Sequence, residues 1–507
     1  MSYDDILPVI GSFGWHQWKL LILVSFPFMA NFFFKVGNVA LVISPKYRCM
    51  LPFETENASY FLNQTQLDYW YPLDLKTKTH SSCRYKLNTT ELNCDRYIFD
   101  NSFGRTVAVE FELTCDKDYL IATSNSLNMF GMMIGAIFFG SAADRWGRRK
   151  ILIITNVIYG IIGNVIIFSP NIWTFLILRV ILGMVIAGGF YGSYVILIES
   201  TEPSKRLMIG TCLNLYYGLG TILSSLLAYL SPTWKVLQVL FTAFGAPCIL
   251  YIWVLPESAR WLISKNRITE ARKIIKIIAK ENKRTILEEH LEYCLTEARD
   301  AARGKINASV YDAMRYPTLR TRIFILMFLN FVCYIVVFGI TWHIPKFSGN
   351  VYTNLALMGL SDLPTFVMVL FTAQRAGRRP VIFTYMIISS LCLVITFVKP
   401  SAAAWVLTWS LISKLLSGST MCLIYVLSSE LYPTVFRNAG LGLGAIAGSL
   451  GGIFASYIFY LEFFWKPLPN IILSGLLLIA CGLILLLPET FNKKLPETLE
   501  EGNRFGK

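Results

Sequence analysis

Three ionisable side chains fall inside long apolar stretches of the sequence: Lys35, Asp362 and Lys414. A charge in hydrocarbon is costly, so such residues usually face a cavity or the interior of a helix bundle, where they contact solutes or each other. Lys35 lies well inside its apolar run, which favours a cavity position over a side chain that reaches back to the membrane surface. Lys414 has two open roles, as a solute ligand or as a structural partner of Asp362.

Charged motifs recur in pairs along the chain, and the two copies of each pair are separated by about 230 residues. Segment 144–150 (DRWGRRK) recurs at 374–380 (QRAGRRP), 199–206 (ESTEPSKR) at 430–437 (ELYPTVFR), and 256–258 (PES) at 488–490 (PET). A constant offset indicates an internal duplication. Two similar halves of spanning helices joined by a polar linker are typical of secondary transporters.

The arginines and acids of these motifs lie at the ends of apolar runs, where opposite charges can clamp neighbouring helices through charge-assisted hydrogen bonds. Glu199 and Arg206 are separated by the same spacing as Glu430 and Arg437. The other motif pair is less alike, because Asp144 begins the first copy and Gln374, which carries no charge, begins the second. We predict that such clamps hold one face closed in one state. The alternative is that the arginines only mark the cytosolic side. The predicted gating residues are Asp144, Arg148, Arg149, Glu199, Arg206, Arg378, Arg379, Glu430 and Arg437.

The composition is that of a membrane protein, with 54% hydrophobic and only 15% charged residues. Apolar windows of roughly 20 residues are long enough to cross a bilayer, and in hydrocarbon they must be helical. We predict an all-α membrane protein with about twelve transmembrane helices in two six-helix pseudo-symmetric bundles. The predicted spans are 18–44, 119–142, 151–169, 172–197, 208–230, 236–255, 321–344, 352–373, 380–398, 402–427, 438–461 and 468–488.

The net charge of +14 is unevenly distributed, since Arg and Lys concentrate in every second connection between spans. This pattern follows the positive-inside rule and places both termini in the cytosol. It also argues against nucleic-acid binding, which needs a basic face rather than alternating basic loops. The predicted organisation is a cytosolic N-terminus 1–17, a first bundle 18–255, a cytosolic linker 256–320, a second bundle 321–488 and a cytosolic tail 489–507.

The same topology places segment 45–118 outside the cell, and its composition agrees. The segment holds an even set of cysteines, which in an oxidising compartment predicts disulfides of undetermined connectivity: Cys49, Cys83, Cys94 and Cys115. It also holds three N-glycosylation sequons, at Asn57, Asn63 and Asn88.

Several motifs together resemble the organic cation/anion/carnitine transporter family (solute carrier family 22) of the major facilitator superfamily. They are 11–14 (GSFG) with Gln17, the cysteine-containing loop, 110–115 (EFELTC), 256–262 (PESARWL) and 430–434 (ELYPT). The resemblance covers nearly the whole chain. Sugar porters share the Gly-Arg-Arg and Pro-Glu-Ser signals but generally lack the large loop and the Glu-Leu-Tyr-Pro-Thr run.

The resemblance implies a central cavity, with Asp362 and Lys414 at positions where the family carries acidic and basic residues. Aromatic and amide residues near the matching cavity positions would suit flat or cationic organic solutes. Together with Asn31, the predicted substrate-binding residues are Lys35, Asn38, Phe190, Tyr194, Asn214, Tyr217, Tyr334, Phe338, Asp362, Lys414, Tyr425 and Ser449.

The resemblance leaves the sign of the substrate open. Cation-transporting relatives carry an Asp in the eleventh span and many anion- or carnitine-transporting relatives an Arg, whereas this position falls on Ser449. Lys35 and Lys414 favour an anion or zwitterion, while Asp362 and the aromatic residues keep a cation possible.

We therefore predict a plasma-membrane secondary transporter of small organic ions that works by alternating access, with an organic anion or zwitterion slightly favoured. Its partners would be a small organic ion, the lipid bilayer and a coupling ion or exchange substrate. The alternatives are an organic cation uniporter driven by the membrane potential and a transport-dead receptor or scaffold with the same fold. The four scattered histidines argue against an enzyme and a metal site, and the absence of a Walker lysine motif argues against ATP-driven pumping. No cofactor is predicted.

Overall fold

The computed structural model describes residues 6–55, 58–74, 79–87, 90–100, 104–303, 309–344, 347, 349–400, 402–491, 493, 496 and 498–506. Within these ranges, eleven helices are long and apolar enough to cross a membrane, and a shorter apolar helix follows them. In chain order they are α1 (Trp15–Val42), α2 (Cys115–Trp146), α3 (Arg148–Phe168), α4 (Ile172–Glu199), α5 (Ser204–Leu230), α6 (Trp234–Val254), α7 (Pro317–His343), α8 (Val351–Ala376), α9 (Arg378–Ile395), α10 (Ala403–Leu431), α11 (Arg437–Phe463) and α12 (Leu468–Ile484).

The twelve helices form two bundles, α1–α6 and α7–α12. Separate apolar clusters lie in the first bundle, and the core of the second bundle extends to Val36, Met129, Met132 and Ala187 of the first. Helix α2 packs against α11, and α5 packs against α8, so these two contacts join the bundles. The predicted fold class is confirmed. The predicted spans match the helices to within four residues at each end.

The turns between α2 and α3 and between α8 and α9 both depend on a glycine with positive φ. Gly147 has a φ of 107° and Gly377 a φ of 85°, and residues other than glycine rarely adopt these values. An added Cβ would also lie 2.4 Å from Glu257 Oε2 at the first glycine and 2.9 Å from Glu489 Oε2 at the second. The Gly-Arg-Arg motifs therefore keep glycine both for the turn and for the carboxylate beside it.

Helices α1 and α8 are irregular within their spans. In α1, a π-helical turn covers Phe33–Gly37 between the α-helical parts Trp15–Phe32 and Asn38–Val42. In α8, one helix ends at Asp362 and the next begins at Pro364, because proline cannot continue the hydrogen-bond ladder of a helix interior. Irregular backbone at membrane depth is tolerated where it is buried in protein or lines a cavity.

A small disulfide-bonded domain follows α1. It contains the strand pairs Tyr47–Cys49 with Tyr97–Phe99, Leu73–Asp74 with Thr79–His80, and Arg84–Leu87 with Thr90–Asn93, and the helices Gln64–Trp70 and Val107–Glu110. Cys49 pairs with Cys94 and Cys83 with Cys115, at Cα–Cα distances of 5.5 and 5.8 Å. We call the end of the bundles that carries this domain the loop face. Of the predicted glycosylation sites, Asn63 is exposed and precedes the helix Gln64–Trp70, while Asn57 and Asn88 lie outside the described residues.

Both termini pack at the opposite end, which we call the terminal face. The linker helices there are Ala259–Ser264, Ile268–Glu281, Glu288–Arg303 and Val310–Met314. The N-terminal helix Ile6–Val9 shares an apolar core with the first three of them. The C-terminal helix Leu499–Arg504 lies under the second bundle, where Arg322 donates a 2.8 Å hydrogen bond to the carbonyl of Gly502.

Candidate substrate site and helix-end contacts

Lys35 lies in the π-helical turn of α1, and its side chain is buried among aromatic rings. Its ammonium nitrogen lies 4.9 Å from the ring centroid of Phe190 and 5.8 Å from that of Phe32. A cation over the faces of two rings is held by their quadrupoles. No acidic partner of Lys35 is found among the described residues. The first bundle thus holds a buried and partly shielded positive charge.

Asp362 and Lys414 form a buried ion pair in the second bundle. Lys414 Nζ donates to Asp362 Oδ1 and contacts the carbonyl of Met358 at 3.4 Å. The second carboxylate oxygen, Asp362 Oδ2, is buried and has no hydrogen-bond partner among the described residues. The structural role of Lys414, one of the two weighed from the sequence, is therefore the one its contacts support, while Asp362 keeps a free acceptor.

An aromatic bridge connects the two charged groups across the bundles. The ring centroids of Phe32 and Tyr217 are 4.2 Å apart, and the Tyr217 centroid lies 5.9 Å from Lys414 Nζ. Lys35, Phe32, Tyr217 and the Asp362–Lys414 pair therefore form one continuous site between the bundles. Its formal charge is positive by one, since Asp362 neutralises only one of the two lysines.

The other predicted residues are distributed around this site to different extents. Tyr194 of α4 meets Tyr425 of α10 edge to face at 5.8 Å, which joins the bundles on the side toward the terminal face. Tyr334 and Phe338 lie together on α7, with ring centroids 5.6 Å apart. These four rings bring residues from both bundles into the region that the sequence predicted.

Two predicted polar residues make contacts that bear on their roles. Asn38 donates a 2.7 Å hydrogen bond to Asn125 of α2, so its amide is engaged inside the first bundle. Ser449 is buried on α11, next to Gly448, where an added Cβ would lie 2.8 Å from the Tyr334 ring. The side chains of Asn31 and Asn214 lie outside the described part of the structure.

Sequence reasoning missed several aromatic side chains of the site. Phe28 stacks on Phe190 at 4.7 Å, and Trp342 lies 5.4 Å from Phe338 while its Nε1 donates to the carbonyl of Lys35 at 3.4 Å. Phe28 and Phe32 are four residues apart, as are Phe338 and Trp342, and such pairs share one helix face. The four-residue spacing could have identified these side chains, because each missed ring lies one helical turn from another residue of the site.

At the terminal face, the Pro-Glu-Ser carboxylate holds the start of α3. Glu257 Oε1 accepts hydrogen bonds from the backbone N–H groups of Arg148 and Arg149, both at 3.1 Å. The first turn of a helix has unpaired N–H groups and a positive dipole, so a carboxylate is well placed there. The Arg148 guanidinium also contacts Asp144 at 2.7 Å and Glu199 at 3.3 Å.

The second bundle repeats this arrangement at the start of α9. Glu489 accepts from the N–H groups of Arg378 at 3.1 Å and Arg379 at 2.9 Å, and the Arg378 guanidinium contacts Glu430 at 3.1 Å. Burial acts to raise the pKa of Glu489, but the backbone donors outweigh it, and the pKa lies below its usual range. Thr490 adds a hydroxyl hydrogen bond to Glu430.

The partners of Glu199 and Glu430 differ from those expected from the sequence. We expected Arg206 and Arg437, but the carboxylates contact Arg148 and Arg378, which come from the preceding motif of the same bundle. Arg206 donates instead to backbone carbonyls at the end of α4 and in the turn that follows. Spacing along the chain favoured the local partner, whereas the fold brings the more distant arginine to the acid. Glu257 and Glu489 belong to motifs that the sequence analysis identified, yet no role was predicted for them.

Comparison with known proteins places this architecture in a family. A sequence profile described as "Sugar (and other) transporter" matches residues 39–501. A Drosophila melanogaster protein named organic cation transporter protein is 34% identical, with 100% of this chain and 95% of the relative covered. Solute carrier family 22 member 3 of Mus musculus is 31% identical over 100% of this chain and 96% of its own. The chain belongs to solute carrier family 22 of the major facilitator superfamily.

Other relatives and solved structures agree with this placement. Solute carrier family 22 member 7 of Rattus norvegicus is 29% identical and covers 99% of this chain and 98% of its own. The xylose transporter XylE from E. coli in an inward open conformation superposes with a TM-score of 0.68 at 15% identity, over 97% of this chain and 100% of that chain. That identity supports the fold alone. This family member is thus a multi-pass membrane transporter and not an enzyme.

Proposed function

We propose that this protein is a plasma-membrane secondary transporter that moves a small organic anion or zwitterion by alternating access. The proposal rests on one observation: Lys35 is buried over two aromatic rings with no acid beside it among the described residues, while the carboxylate of Asp362 is already paired with Lys414. A site with one excess positive charge attracts a carboxylate or similar group, and the attraction is stronger in a partly dry cavity than in water.

Alternating access gives this site its transport role. In transporters built from two repeats, the substrate binds near the membrane midplane and the bundles rock around it. Lys35 and the Asp362–Lys414 pair come from different bundles, and Tyr217 lies between them. A substrate in contact with both groups would respond to the movement of one bundle against the other. We further propose that both termini and the terminal face lie in the cytosol, as the distribution of Arg and Lys predicts.

An organic cation is the second candidate substrate. The names of two relatives contain organic cation transporter, and Asp362 Oδ2 is a buried acceptor without a partner among the described residues. The aromatic rings between the charged groups would also hold a cation. For a cation, Asp362 rather than Lys35 would be the anchor.

Uptake of three labelled probes of similar size separates these possibilities: an aromatic carboxylate, an aromatic zwitterion and a quaternary ammonium ion. Surface abundance is measured in the same cells. We expect the carboxylate or the zwitterion to be taken up best, and Lys35→Met to raise its KM by about 10- to 100-fold, as for loss of a charge-assisted hydrogen bond. The matched control Lys35→Arg keeps the charge and should recover part of the affinity.

The same experiment also reveals a wrong assignment. If the quaternary ammonium ion is the best substrate and Lys35→Met leaves its KM unchanged, the anion proposal fails and Asp362 becomes the anchor. If none of the probes is taken up by cells that display the protein at the surface, both substrate proposals fail.

A further inference from the structure

Arg179 is a buried cation outside the central site. It lies in α4, two turns from the loop face, and has no exposed surface. Its Nε, Nη1 and Nη2 atoms all lack a hydrogen-bond partner among the described residues, and its Cζ lies 5.7 Å from the ring centroid of Phe175. An arginine cannot release its proton in a protein, so this charge persists and requires compensation.

The neighbouring helix α2 brings further unpaired polar atoms to this position. A Cβ added to Gly183 would lie 2.3 Å from the carbonyl oxygen of Asn128, so α2 and α4 are in close contact there. The two helices run in the same direction, so Ser124 and Asn128 lie within about one helical turn of the level of Arg179. Ser124 Oγ and Asn128 Oδ1 are also buried without a partner among the described residues.

The distribution of buried charge differs between the two bundles. In the second bundle, Lys414 is neutralised by Asp362. In the first bundle, Lys35 and Arg179 are both buried, and the ion pairs among the described residues give neither of them an acid. The two cations occupy different places, since Lys35 lies against Phe190 and Arg179 against Phe175.

We propose that Arg179 binds a small inorganic anion of chloride size inside the first bundle, with the Ser124 hydroxyl turned to donate to it. The guanidinium supplies several N–H donors and the compensating charge, which a water molecule cannot offer. This site is separate from the substrate site, because Arg179 lies against Phe175 whereas Lys35 lies against Phe190. The anion would act as a fixed counter-ion that stabilises the packing of α2 against α4.

Thermal unfolding of the purified full chain tests this site through its halide dependence. The protein is compared in chloride, bromide and gluconate at constant ionic strength. Because a ligand stabilises the folded state in proportion to the logarithm of its concentration, we expect Tm to rise by about 1–3 °C for each tenfold increase in halide above the dissociation constant. Gluconate, which is too large for the site, should give no such rise.

Two variants assign the effect to a residue. Arg179→Gln should remove the halide dependence of Tm, whereas Lys35→Gln, which removes another buried cation that has no acid among the described residues, should leave it intact. Loss of the dependence in Lys35→Gln but not in Arg179→Gln overturns the assignment, and so does a wild-type Tm that is the same in all three salts.

A second measurement does not depend on a stable variant. Wild-type crystals grown in bromide should show an anomalous scattering peak in contact with the Arg179 guanidinium. Ordered water there without a bromide peak would overturn the proposal. A peak at Lys35 alone would do the same, since it would place the anion in the substrate site.

Discussion

At the scale of single residues, the buried pair of Asp362 and Lys414 allows a direct test of its role. Removing one partner leaves the other charge buried and unpaired, which typically costs about 3–5 kcal/mol. We expect Asp362→Asn and Lys414→Met each to lower Tm and surface abundance strongly. The double variant Asp362→Asn/Lys414→Met should be more stable than either single variant, because no uncompensated charge remains.

The measurement is Tm of the four proteins in a double-mutant cycle, with surface abundance as a second readout. Effects of the two single variants that simply add in the double variant would mean that the pair is not coupled in the folded protein. Transport by the double variant gives a separate result. Full activity would show that neither charge is needed for substrate binding.

The same residues indicate what the sequence can predict. Lys35, Asp362 and Lys414 were identifiable because a charge in an apolar run is costly and therefore has a reason to be there. The sequence could not decide between the two roles of Lys414, since its partner lies 52 residues away on another helix. The role of Glu257 was missed for a similar reason: a motif shows that a carboxylate is present, but only the fold shows which N–H groups it faces.

At the scale of helices, the carboxylate at the start of α9 predicts a pH dependence of stability. The pKa of Glu489 is lowered in the folded protein, so its contribution is complete above the unfolded value of about 4.3 and is lost as the pH falls through the folded value. We expect Glu489→Gln to lower Tm at neutral pH and the difference from wild type to shrink in acid. A difference that stays constant as the pH is lowered from 7 through the folded-state pKa of Glu489 would contradict this account.

Two acids that contact the same arginine should differ in their effect on transport. Arg148 reaches Glu199, whose side chain is 14% exposed, and Asp144, whose side chain is 69% exposed. Exposed pairs contribute little, about 0.3–0.5 kcal/mol at this spacing. We therefore expect Asp144→Asn to transport nearly as well as wild type, and Glu199→Gln to shift the balance of states by about 1–3 kcal/mol.

The test is initial uptake rate divided by surface abundance for both variants. Equal losses would mean that the exposed acid is as important as the buried one. Equal activity of both variants with wild type would reduce these charges to signals of membrane orientation.

Helix positions were predicted better than helix irregularities. Twelve apolar runs predict twelve helices because hydrocarbon leaves the backbone no other choice. The break in α8 has a local signal in Pro364, whereas the π-helical turn that carries Lys35 has none in its sequence. Tertiary contacts therefore determine the second irregularity, and with it the position of a central charge.

At the scale of the whole molecule, the contacts between bundles are unequal at the two faces. Toward the loop face, Ser126 donates to the carbonyl of Ile453 at 2.9 Å and Ser225 to that of Tyr352 at 2.6 Å. Near the terminal face, the rings of Tyr194 and Tyr425 meet edge to face at 5.8 Å, and Arg206 and Arg437 carry like charges on opposite bundles. The pattern corresponds to a state that is closed at the loop face and held less tightly at the terminal face.

The close approach of α5 and α8 predicts how this state can be shifted. A Cβ added to Gly359 would lie 2.8 Å from the backbone nitrogen of Ile222 and 2.9 Å from the carbonyl oxygen of Gly218, so the backbones would have to separate. We expect Gly359→Ala to favour the state that is open at the loop face and to slow transport. The matched control is Gly482→Ala in α12, where an added Cβ meets no atom within 4 Å.

The change of state is measured with a membrane-impermeant maleimide and the reporter Ser225→Cys, which lies at this contact between the bundles. A shift of about 1–3 kcal/mol corresponds to a 5- to 150-fold change in the balance of the two states, so the reporter should be labelled faster in the Gly359→Ala background. Labelling in the Gly482→Ala background should match that of the reporter alone. Unchanged labelling together with slowed transport would contradict the steric argument, because the substitution would then act on transport without separating α5 from α8.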